Sequence, residues 1–384
     1  MATPSECAHG AAATDRAGPR LAIVGPIKSW GGIEGKIVTL CREFAERGVQ
    51  IDLVLLRGGE VPYPDRLDAR VQVHHLATRS KRDGVPALRA WLARERPDAV
   101  LTLKDHGAQV ALLACLLGRL DVPVYVKVTN TLSVVARRRL QRWLIRRLYP
   151  RAAGVIGNSA GVVADLQAQF ALPPARLHCI HNPTVTDDFP ARAAAPIDHP
   201  WLASDADVPV VVGVGRFTPQ KDFPLLLRAF ARLRRERHCR LVLLGDGADR
   251  AALEAEIRGL GLSDIVDLPG FVPDALPWIA RAALFVLSSR YEGLSNVLIE
   301  ALAVGTPVVA TDCPSGSAEI LEQGRWGRLV PVGDEPALAA AMQAQLEDPI
   351  AGKLPANAVD RFRAGPVAER YLRVMGLAPP GGEA

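Results

Sequence analysis

Residues 283–312 read ALFVLSSRYEGLSNVLIEALAVGTPVVATD, and this stretch contains a complete strand–helix–strand unit. An apolar run near 283–287 predicts a buried strand, helical spacing of apolar residues predicts a helix near 295–304, and a β-branched run predicts a second strand near 307–310. Two strands joined through one helix lie parallel, because the crossover returns the chain to the same end of the sheet. The stretch therefore predicts a parallel sheet with helices on its faces.

The same alternation extends along the whole chain. In the first half it predicts strands near 21–25, 51–56, 71–76, 99–103, 123–128, 153–157 and 177–180, with helices near 33–47, 85–94, 107–118, 134–148 and 160–169. The second half adds strands near 209–215, 240–244, 265–268 and 328–330, with helices near 223–235, 249–259 and 335–346. Such alternation is typical of parallel sheets covered on both faces. The predicted fold class is α/β, with two doubly wound Rossmann-like domains facing each other across a cleft.

Composition sets the division into domains. The chain has 384 residues, and 49% of them are apolar, so it is long and apolar enough to bury two cores. Its net charge is +5. Residues 182–208 are rich in Pro, Ala and Asp and lack a clear period, as linkers do. We predict a disordered leader at 1–19, an N-terminal domain at 20–190, a linker at 191–208, a C-terminal domain at 209–352, and at 353–384 a helix that packs back toward the N-terminal domain, followed by a tail.

Hydropathy and cysteine usage indicate the compartment. No apolar run approaches the about 20 residues that a membrane-spanning helix needs. The six cysteines are far apart and form no C-x-x-C pair. This pattern predicts a reduced, cytoplasmic environment.

The loop after the strand near 209–215 carries two cations, Arg216 at the strand tip and Lys221 just before the next helix. Ligands of doubly wound sheets bind beyond the carboxyl ends of the strands, so both side chains are predicted to face the cleft. Two fixed cations stabilise the negative charge that develops on a leaving diphosphate. The alternative is a pair of solvated surface charges, because so short a motif often occurs by chance.

The loop after the strand near 283–287 leads through a glycine turn into a helix that Ser295 is predicted to cap. Free N–H groups in a first helical turn form a site for an anion such as a diphosphate. Carboxylates accept hydrogen bonds from vicinal hydroxyls, so Glu300 suits a ribose and Glu292 suits the hydroxyls of a sugar. The alternative is two surface glutamates that favour the positive end of the helix.

These residues belong to a longer set of motifs that resembles a known family, the retaining GT-B glycosyltransferases of the family-4 type, or glycosyltransferase group 1. The resemblance covers most of the second half of the chain, where motif order and spacing agree. Its motifs are V-G-R-F-x-x-x-K-D at 214–222, L-L-G-D-G at 243–247, G-F-V-P at 270–273, the E-x7-E pair, and A-x-G-x-P-V-V-A-T at 303–311.

The resemblance implies a role for each of these positions. It assigns Arg216 and Lys221 to the nucleotide diphosphate, Glu300 to the ribose and Glu292 to the transferred sugar. It places the base against the backbone near Phe271 and Val272. It completes the donor site with the start of the following helix: Leu294, Ser295, Asn296 and Val297.

The first half resembles the family more loosely. Gly31 and Gly32 are similar to the family's G-G loop, whose small residues let the backbone approach the donor; the alternative is an ordinary tight turn. His106 follows a predicted strand at a place where many relatives carry a cleft histidine. The resemblance thus adds His106 to the catalytic set on the acceptor side, with a structural histidine as an equal alternative.

The implied activity is the transfer of a hexose, with an N-acetylhexosamine as one candidate, from a UDP-linked or other nucleoside-diphosphate sugar. The acceptor is a saccharide or lipid-linked saccharide in cell-surface polysaccharide assembly, and the N-terminal domain is its side of the cleft. The donor is a co-substrate, and we expect no cofactor and no metal. The alternatives are a sugar-nucleotide epimerase of similar architecture and a non-catalytic nucleotide-sugar-binding protein.

Seven arginines lie between Arg137 and Arg151, interleaved with apolar residues. Residues 1–190 hold 26 basic and 17 acidic residues, whereas the remainder holds 20 and 24. A basic amphipathic helix here predicts contact with an anionic membrane surface. The alternative is a sheet-covering helix with solvated arginines, and we expect no nucleic-acid partner.

Two tempting metal motifs are predicted to be structural. Asp205 and Asp207 spell a D-x-D motif, but they fall in the predicted linker and not after a strand. His178 and His181 flank Cys179 in a segment that reads as a short strand running into a turn. Neither pattern has the structural context that a metal site requires.

Overall fold

Two parallel β-sheets form the framework of the chain in this computed structural model, which describes residues 18–25, 32–57, 61, 64–136, 138–202, 208–350 and 357–378. The first sheet has strands β1 Arg20–Gly25, β2 Gln50–Leu55, β3 Gln72–His75, β4 Ala99–Leu103, β5 Val124–Val128, β6 Gly154–Gly157 and β7 Leu177–Cys179. Their order is β3-β2-β1-β4-β5-β6-β7, and neighbouring strands are parallel. We call this sheet the first lobe, together with its helices α1 Gly32–Glu46, α2 Lys81–Glu95, α3 Lys104–Gly118, α4 Leu132–Val135, α5 Arg139–Leu148 and α6 Ala160–Phe170.

The second sheet follows a short helix, α7 Phe189–Ala194. Its strands are β8 Val210–Val214, β9 Arg240–Leu244, β10 Val266–Gly270, β11 Leu284–Leu287, β12 Val308–Thr311 and β13 Arg328–Val330, in the order β10-β9-β8-β11-β12-β13. They too are parallel. The second lobe is this sheet with α8 Phe223–Glu236, α9 Arg250–Gly259, α10 Leu276–Arg281, α11 Asn296–Ala303, α12 Ser317–Ile320 and α13 Glu335–Glu347; the last helix is α14 Ala364–Met375.

The inner strands of each sheet are buried on both faces because they are largely apolar. In β1, Leu21 and Ile23 join one core cluster whereas Ala22 and Val24 join the other, and all four side chains are fully buried. Successive side chains of a strand point to opposite faces, so a continuous apolar run requires helices on both sides. The predicted fold class, two doubly wound domains, is confirmed.

The chain passes between the lobes twice, and the two passages lie side by side. The amide of Thr184 donates to the Phe362 carbonyl at 2.9 Å, and the amide of Ala364 donates to the Val185 carbonyl at 2.8 Å. Beyond this junction, α14 returns to the first lobe, where Val367 and Leu372 join the core beneath β1. The first lobe is therefore completed by residues that follow the second lobe in the sequence.

Two predicted elements differ from the structure. The single helix predicted at 134–148 is two helices, α4 and α5, because the fully buried Ala136 adopts a non-helical backbone with φ −82° and ψ 75°. The predicted linker at 191–208 overlaps α7, which begins at Phe189, has Pro190 in its first turn and packs Phe189 into the core of the second lobe. The stretch is too short to show a period, and the boundaries of the predicted units stay predictions. Most of the leader, Asp205 and Asp207 lie outside the described residues.

Lys127 on β5 is buried without a carboxylate partner among the described residues. Its Nζ donates to the Tyr371 hydroxyl of α14 at 2.6 Å and lies 4.9 Å from the centre of that ring. Burial lowers the pKa of Lys127 to about 7. An unfolded lysine has a pKa of about 10.4, so between these values the unfolded chain binds more protons than the folded chain. Lys127 therefore makes folding more favourable as the pH rises from 7.

We expect Lys127→Met to remove this dependence, because methionine fills a similar volume and carries no charge. From pH 7 to pH 8.5, the free energy of unfolding of the wild type should rise relative to the variant by up to about 2 kcal/mol. Urea denaturation at the two pH values measures this difference, in which groups common to both proteins cancel. Parallel pH profiles for the two proteins would contradict the assignment.

Candidate active site

The lobes meet at the carboxyl ends of both sheets. A Cβ atom at Gly293, which follows β11, would lie 2.1 Å from the carbonyl oxygen of Thr129, which follows β5. Beside it, the hydroxyls of Thr131 and Ser315 are 2.9 Å apart. The backbones of the two lobes thus touch at a position that no residue larger than glycine fits.

The strand order of each sheet reverses at one point, and loops diverge there to leave a crevice. In the second lobe the reversal lies between β8 and β11, whose following loops are 215–222 and 288–295. In the first lobe it lies between β1 and β4, which are followed by α1 and α3. Both crevices open toward the contact between the lobes.

Lys221 and Glu292 come together at the crevice of the second lobe. Lys221 Nζ lies 2.6 Å from Glu292 Oε1, and the hydroxyl of Ser289 donates to the same oxygen at 2.7 Å. Both charged side chains are largely buried, at 16% and 9% exposure. A charged pair in such a place is oriented by its partners and poorly screened by water.

The two loops of this crevice are fastened to each other. Gln220 Nε2 donates to the Tyr291 carbonyl at 3.0 Å, and the Arg290 amide donates to the Gln220 carbonyl at 2.8 Å. Arg216 lies on the same loop as Lys221, and its side chain is exposed. The predicted cations therefore share one loop, and the predicted sugar-binding glutamate lies on the loop bonded to it.

Glu300 lies on α11 and contacts the opposite lobe. Lys36 Nζ, from α1, donates to Glu300 Oε1 at 3.0 Å. Arg192 of α7 is close enough to interact electrostatically with the same carboxylate. Burial lowers the pKa of Arg192, but hydrogen bonds to Asp274 and the charge of Glu300 raise it above its usual value. Cations from the first lobe and from the passage between the lobes therefore surround Glu300.

The start of α11 differs from its prediction. Ser295 occupies the N-cap position, but its Oγ is buried and makes no hydrogen bond within the described part of the chain. Asn296 turns toward the junction between the lobes, where its Oδ1 accepts hydrogen bonds from Asn182 at 2.9 Å and Thr184 at 3.2 Å. Leu294 is buried in the core of the second lobe, and Val297 packs against that core.

The predicted base-binding residues follow β10. Phe271 is exposed, and Val272 packs partly against the core of the second lobe. β10 lies at the sheet edge on the far side of β9 from β8. These residues therefore belong to the same carboxyl edge as the loops of the crevice.

The first-lobe predictions fall on α1 and α3. Gly31 lies outside the described residues, and Gly32 begins α1. His106 lies in the first turn of α3 and not in a loop, because the helix begins at Lys104. Gly107 lets this turn pack closely against β1, since a Cβ at Gly107 would lie 2.8 Å from the Val24 carbonyl oxygen. Lys104 Nζ lies 2.5 Å from Glu34 Oε1 of α1, which ties the two helices of this crevice together.

Sequence reasoning missed a network around Asp105, the neighbour of His106. Its carboxylate accepts hydrogen bonds from Gln109 at 2.8 Å, from Gln141 at 3.0 Å and from the Tyr149 hydroxyl at 3.0 Å. Burial, followed by the charge of Asp105, raises the pKa of Tyr149 well above its usual value. The network fixes the basic helix α5 to the turn that carries His106.

His181 takes part in a contact between the lobes. Its Nε2 lies 2.7 Å from Glu319 Oε1 of α12, and the second oxygen of Glu319 accepts from the Ala160 amide at 2.8 Å. The Cys179 thiol lies within 4.8 Å of the His181 and Glu319 atoms, so the three residues offer three potential metal-ligand atoms. His178 and Cys179 lie on β7, as the sequence indicated. Glu319 had no signal in the local spacing, because it comes from the other lobe.

Comparison with known proteins agrees with this architecture. Residues 31–183 match the glycosyl transferase 4-like domain, and residues 208–348 match the glycosyl transferases group 1 family. The chain belongs to the group 1 glycosyltransferases. The predicted family is confirmed, and each of its two domains corresponds to one lobe.

This group 1 glycosyltransferase is similar to curated enzymes of bacterial glycan assembly. It is 28% identical over 360 residues to the lipopolysaccharide core biosynthesis glycosyltransferase LpsE of Rhizobium meliloti, covering 91% of this chain and 97% of LpsE. It is 32% identical over 240 residues to the Campylobacter jejuni N-acetylgalactosamine-N,N'-diacetylbacillosaminyl-diphospho-undecaprenol 4-alpha-N-acetylgalactosaminyltransferase. That match covers 61% of this chain and spans 63% of the Campylobacter enzyme.

A solved structure shares the fold of both lobes. Anabaena HepE in complex with UDP superposes with a TM-score of 0.76 at 21% identity, covering 93% of this chain and 99% of HepE. The described residues include no helix that is both long and apolar enough to span a membrane.

We expect Gly293→Ala to force the lobes apart, because the added methyl group has no space against Thr129. The radius of gyration from X-ray scattering should increase, and glycosyl transfer should fall. Gly259→Ala is a matched control, since a Cβ at Gly259 meets nothing within 4 Å. An unchanged radius of gyration and transfer rate for Gly293→Ala would show that this contact sets neither the spacing of the lobes nor the activity.

Proposed function

We propose that this glycosyltransferase transfers a hexose, with retention at the anomeric carbon, from a nucleoside-diphosphate sugar to a saccharide or lipid-linked saccharide. The observation that carries the proposal is the pairing of Lys221 with Glu292 in the crevice of the second lobe, on loops bonded to each other. Arg216 shares the first loop, and Glu300 follows on the helix that the second loop opens. Cations for a diphosphate thus adjoin carboxylates for hydroxyl groups.

The division of labour follows from charge. Negative charge grows on the diphosphate as its bond to the sugar breaks, and Lys221 and Arg216 stabilise it. Glu292, already oriented by Lys221 and Ser289, accepts hydrogen bonds from the sugar hydroxyls, and Glu300 accepts them from the ribose. We expect no metal requirement, because these cations supply the positive charge.

Retention is proposed to follow a front-face route. A covalent intermediate needs a carboxylate free to attack the anomeric carbon. Lys221 and Ser289 both bond to the same oxygen of Glu292, which suits a hydrogen-bond acceptor better than a nucleophile. In the front-face route the departing phosphate oxygen takes the proton of the acceptor hydroxyl, and His106 on the first lobe is the polar group proposed to meet the acceptor.

The names of the relatives support the acceptor class. One relative is named for lipopolysaccharide core biosynthesis, and the other for a diphospho-undecaprenol-linked acceptor. The latter also transfers N-acetylgalactosamine by name, and HepE was solved with UDP. We therefore propose a UDP-linked hexose or N-acetylhexosamine as donor and a lipid-linked saccharide as acceptor.

A panel of UDP- and GDP-sugars tests the donor. The cognate donor should raise the midpoint of thermal unfolding more than the other sugars of the panel, because binding to the folded state alone stabilises it. NMR of the protein with that donor alone should show hydrolysis at most, whereas conversion at another ring carbon would favour an epimerase. Lys221→Ala should lower turnover about 100- to 1000-fold, by analogy with the about 2.7–4 kcal/mol lost with one preorganised donor. A loss below tenfold would contradict the role of Lys221.

We also propose that α5 binds an anionic membrane surface. Leu140 and Trp143 are 67% and 54% exposed, while Ile145 and Leu148 on the same helix are buried in the first lobe. Exposed arginines flank the two apolar side chains, and the sequence has no acidic residue between Asp121 and Asp165. A helix with one face in the protein core and a second apolar face ringed by arginines suits a lipid headgroup region.

Replacing both Leu140 and Trp143 by alanine should weaken sedimentation with phosphatidylglycerol vesicles several-fold, because apolar insertion is lost while the arginines remain. Leu260→Ala, an exposed leucine of the second lobe, is the matched control and should bind like the wild type. Vesicles of phosphatidylcholine should bind neither the wild type nor the variants strongly. If the wild type fails to sediment with anionic vesicles at low salt, α5 does not bind membranes.

A further inference from the structure

One ion pair joins the crevices of the two lobes directly. Lys36 on α1 donates to Glu300 Oε1 on α11 at 3.0 Å, and the two residues are 264 positions apart in the chain. Each side chain is 13% exposed. Exposed ion pairs contribute little, but a pair shielded from water to this degree holds its geometry more firmly.

We infer that Lys36 is a positioning residue for the ribose of the donor, which acts by orienting Glu300 from the opposite lobe. The inference rests on the proposed function, since it takes Glu300 as the acceptor for the ribose hydroxyls. Lys36 lies outside the motifs that carry the family resemblance, and its contact with Glu300 exists only between the lobes.

The geometry leaves Glu300 able to bind ribose while Lys36 holds it. Lys36 occupies Oε1, and no other hydrogen bond to the Glu300 carboxylate is formed by the described residues. An ionised carboxylate has room for about four hydrogen bonds over its two oxygens. A ribose hydroxyl therefore donates to the second oxygen without displacing Lys36.

Arg192, a second cation near Glu300, is bound to another carboxylate. It forms a two-point hydrogen bond with Asp274, at 2.7 Å and 2.9 Å. Arg192 thus adds positive potential near Glu300, whereas Lys36 supplies the hydrogen bond that fixes its direction. Removing Lys36 leaves Glu300 charged but free to rotate.

The pair also makes ribose binding depend on contact between the lobes. α1 follows β1 at the strand-order reversal of the first sheet, and α11 lies beyond β11 at that of the second. Lys36 and Glu300 meet only where these two crevices abut, so separating the lobes breaks the pair. Nucleotide binding and lobe contact consequently favour each other, because each stabilises the same arrangement of Glu300.

Titration calorimetry with UDP, GDP and their 2′,3′-dideoxy analogues tests this inference. The wild type should prefer the nucleotide with both hydroxyls. Lys36→Met should weaken binding of that nucleotide about tenfold, because a misdirected Glu300 loses its charged hydrogen bond to the ribose. Binding of the dideoxy analogue should stay unchanged. Lys36→Arg should restore most of the preference, and Lys36→Met combined with Glu300→Gln should lose no more than Glu300→Gln alone.

The control is Lys104→Met, which removes a lysine paired with Glu34 inside the first lobe and should keep the wild-type ratio of the two affinities. If Lys36 had a purely structural role, Lys36→Met would weaken binding of the nucleotide and of its dideoxy analogue alike. That result, or no effect on either affinity, overturns the inference. If the wild type binds neither UDP nor GDP, the proposed function fails and the inference fails with it. If the wild type binds but shows no preference for the hydroxyls, only the ribose role is wrong.

Discussion

The close approach of Gly293 to Thr129 is the constraint on which the arrangement of the molecule depends. Both residues follow parallel strands, so their contact sets the carboxyl edges of the two sheets against each other. The crevices created by the two strand-order reversals then open into a common space. Residues that no local pattern relates, such as Lys36 and Glu300, become neighbours where the lobes meet.

Much of the fold follows from local apolar patterning. β1 and β8 are continuous apolar runs, and such runs require helices on both faces whatever the rest of the chain does. The prediction failed where packing overruled the local pattern. At Ala136, which is fully buried, the backbone is non-helical although the sequence has helical spacing. Helix α7 forms in a stretch without a period, where Phe189 packs into the core of the second lobe.

The candidate site divides in the same way. Lys221 and Glu292 follow strands that adjoin in the sheet, so the position of each in its loop already indicated their common edge. The partners of Glu300, Asn296 and Glu319 come from the other lobe or from the junction, and their spacing in the sequence carries no trace of the contact. Ser295 has the residue type and position of a cap, yet its hydroxyl bonds to none of the described residues, because residue type alone does not set the direction of a hydroxyl.

The return of α14 to the first lobe has a consequence for how the chain is made. Lys127 and Tyr371 share one hydrogen bond across 244 positions, and the core beneath β1 includes Val367 and Leu372. A ribosome releases the strands of the first sheet well before it synthesises these residues, although domains commonly fold in the order of their synthesis. Part of one apolar face of the first lobe, the part that α14 covers, therefore stays exposed until the second lobe has been translated.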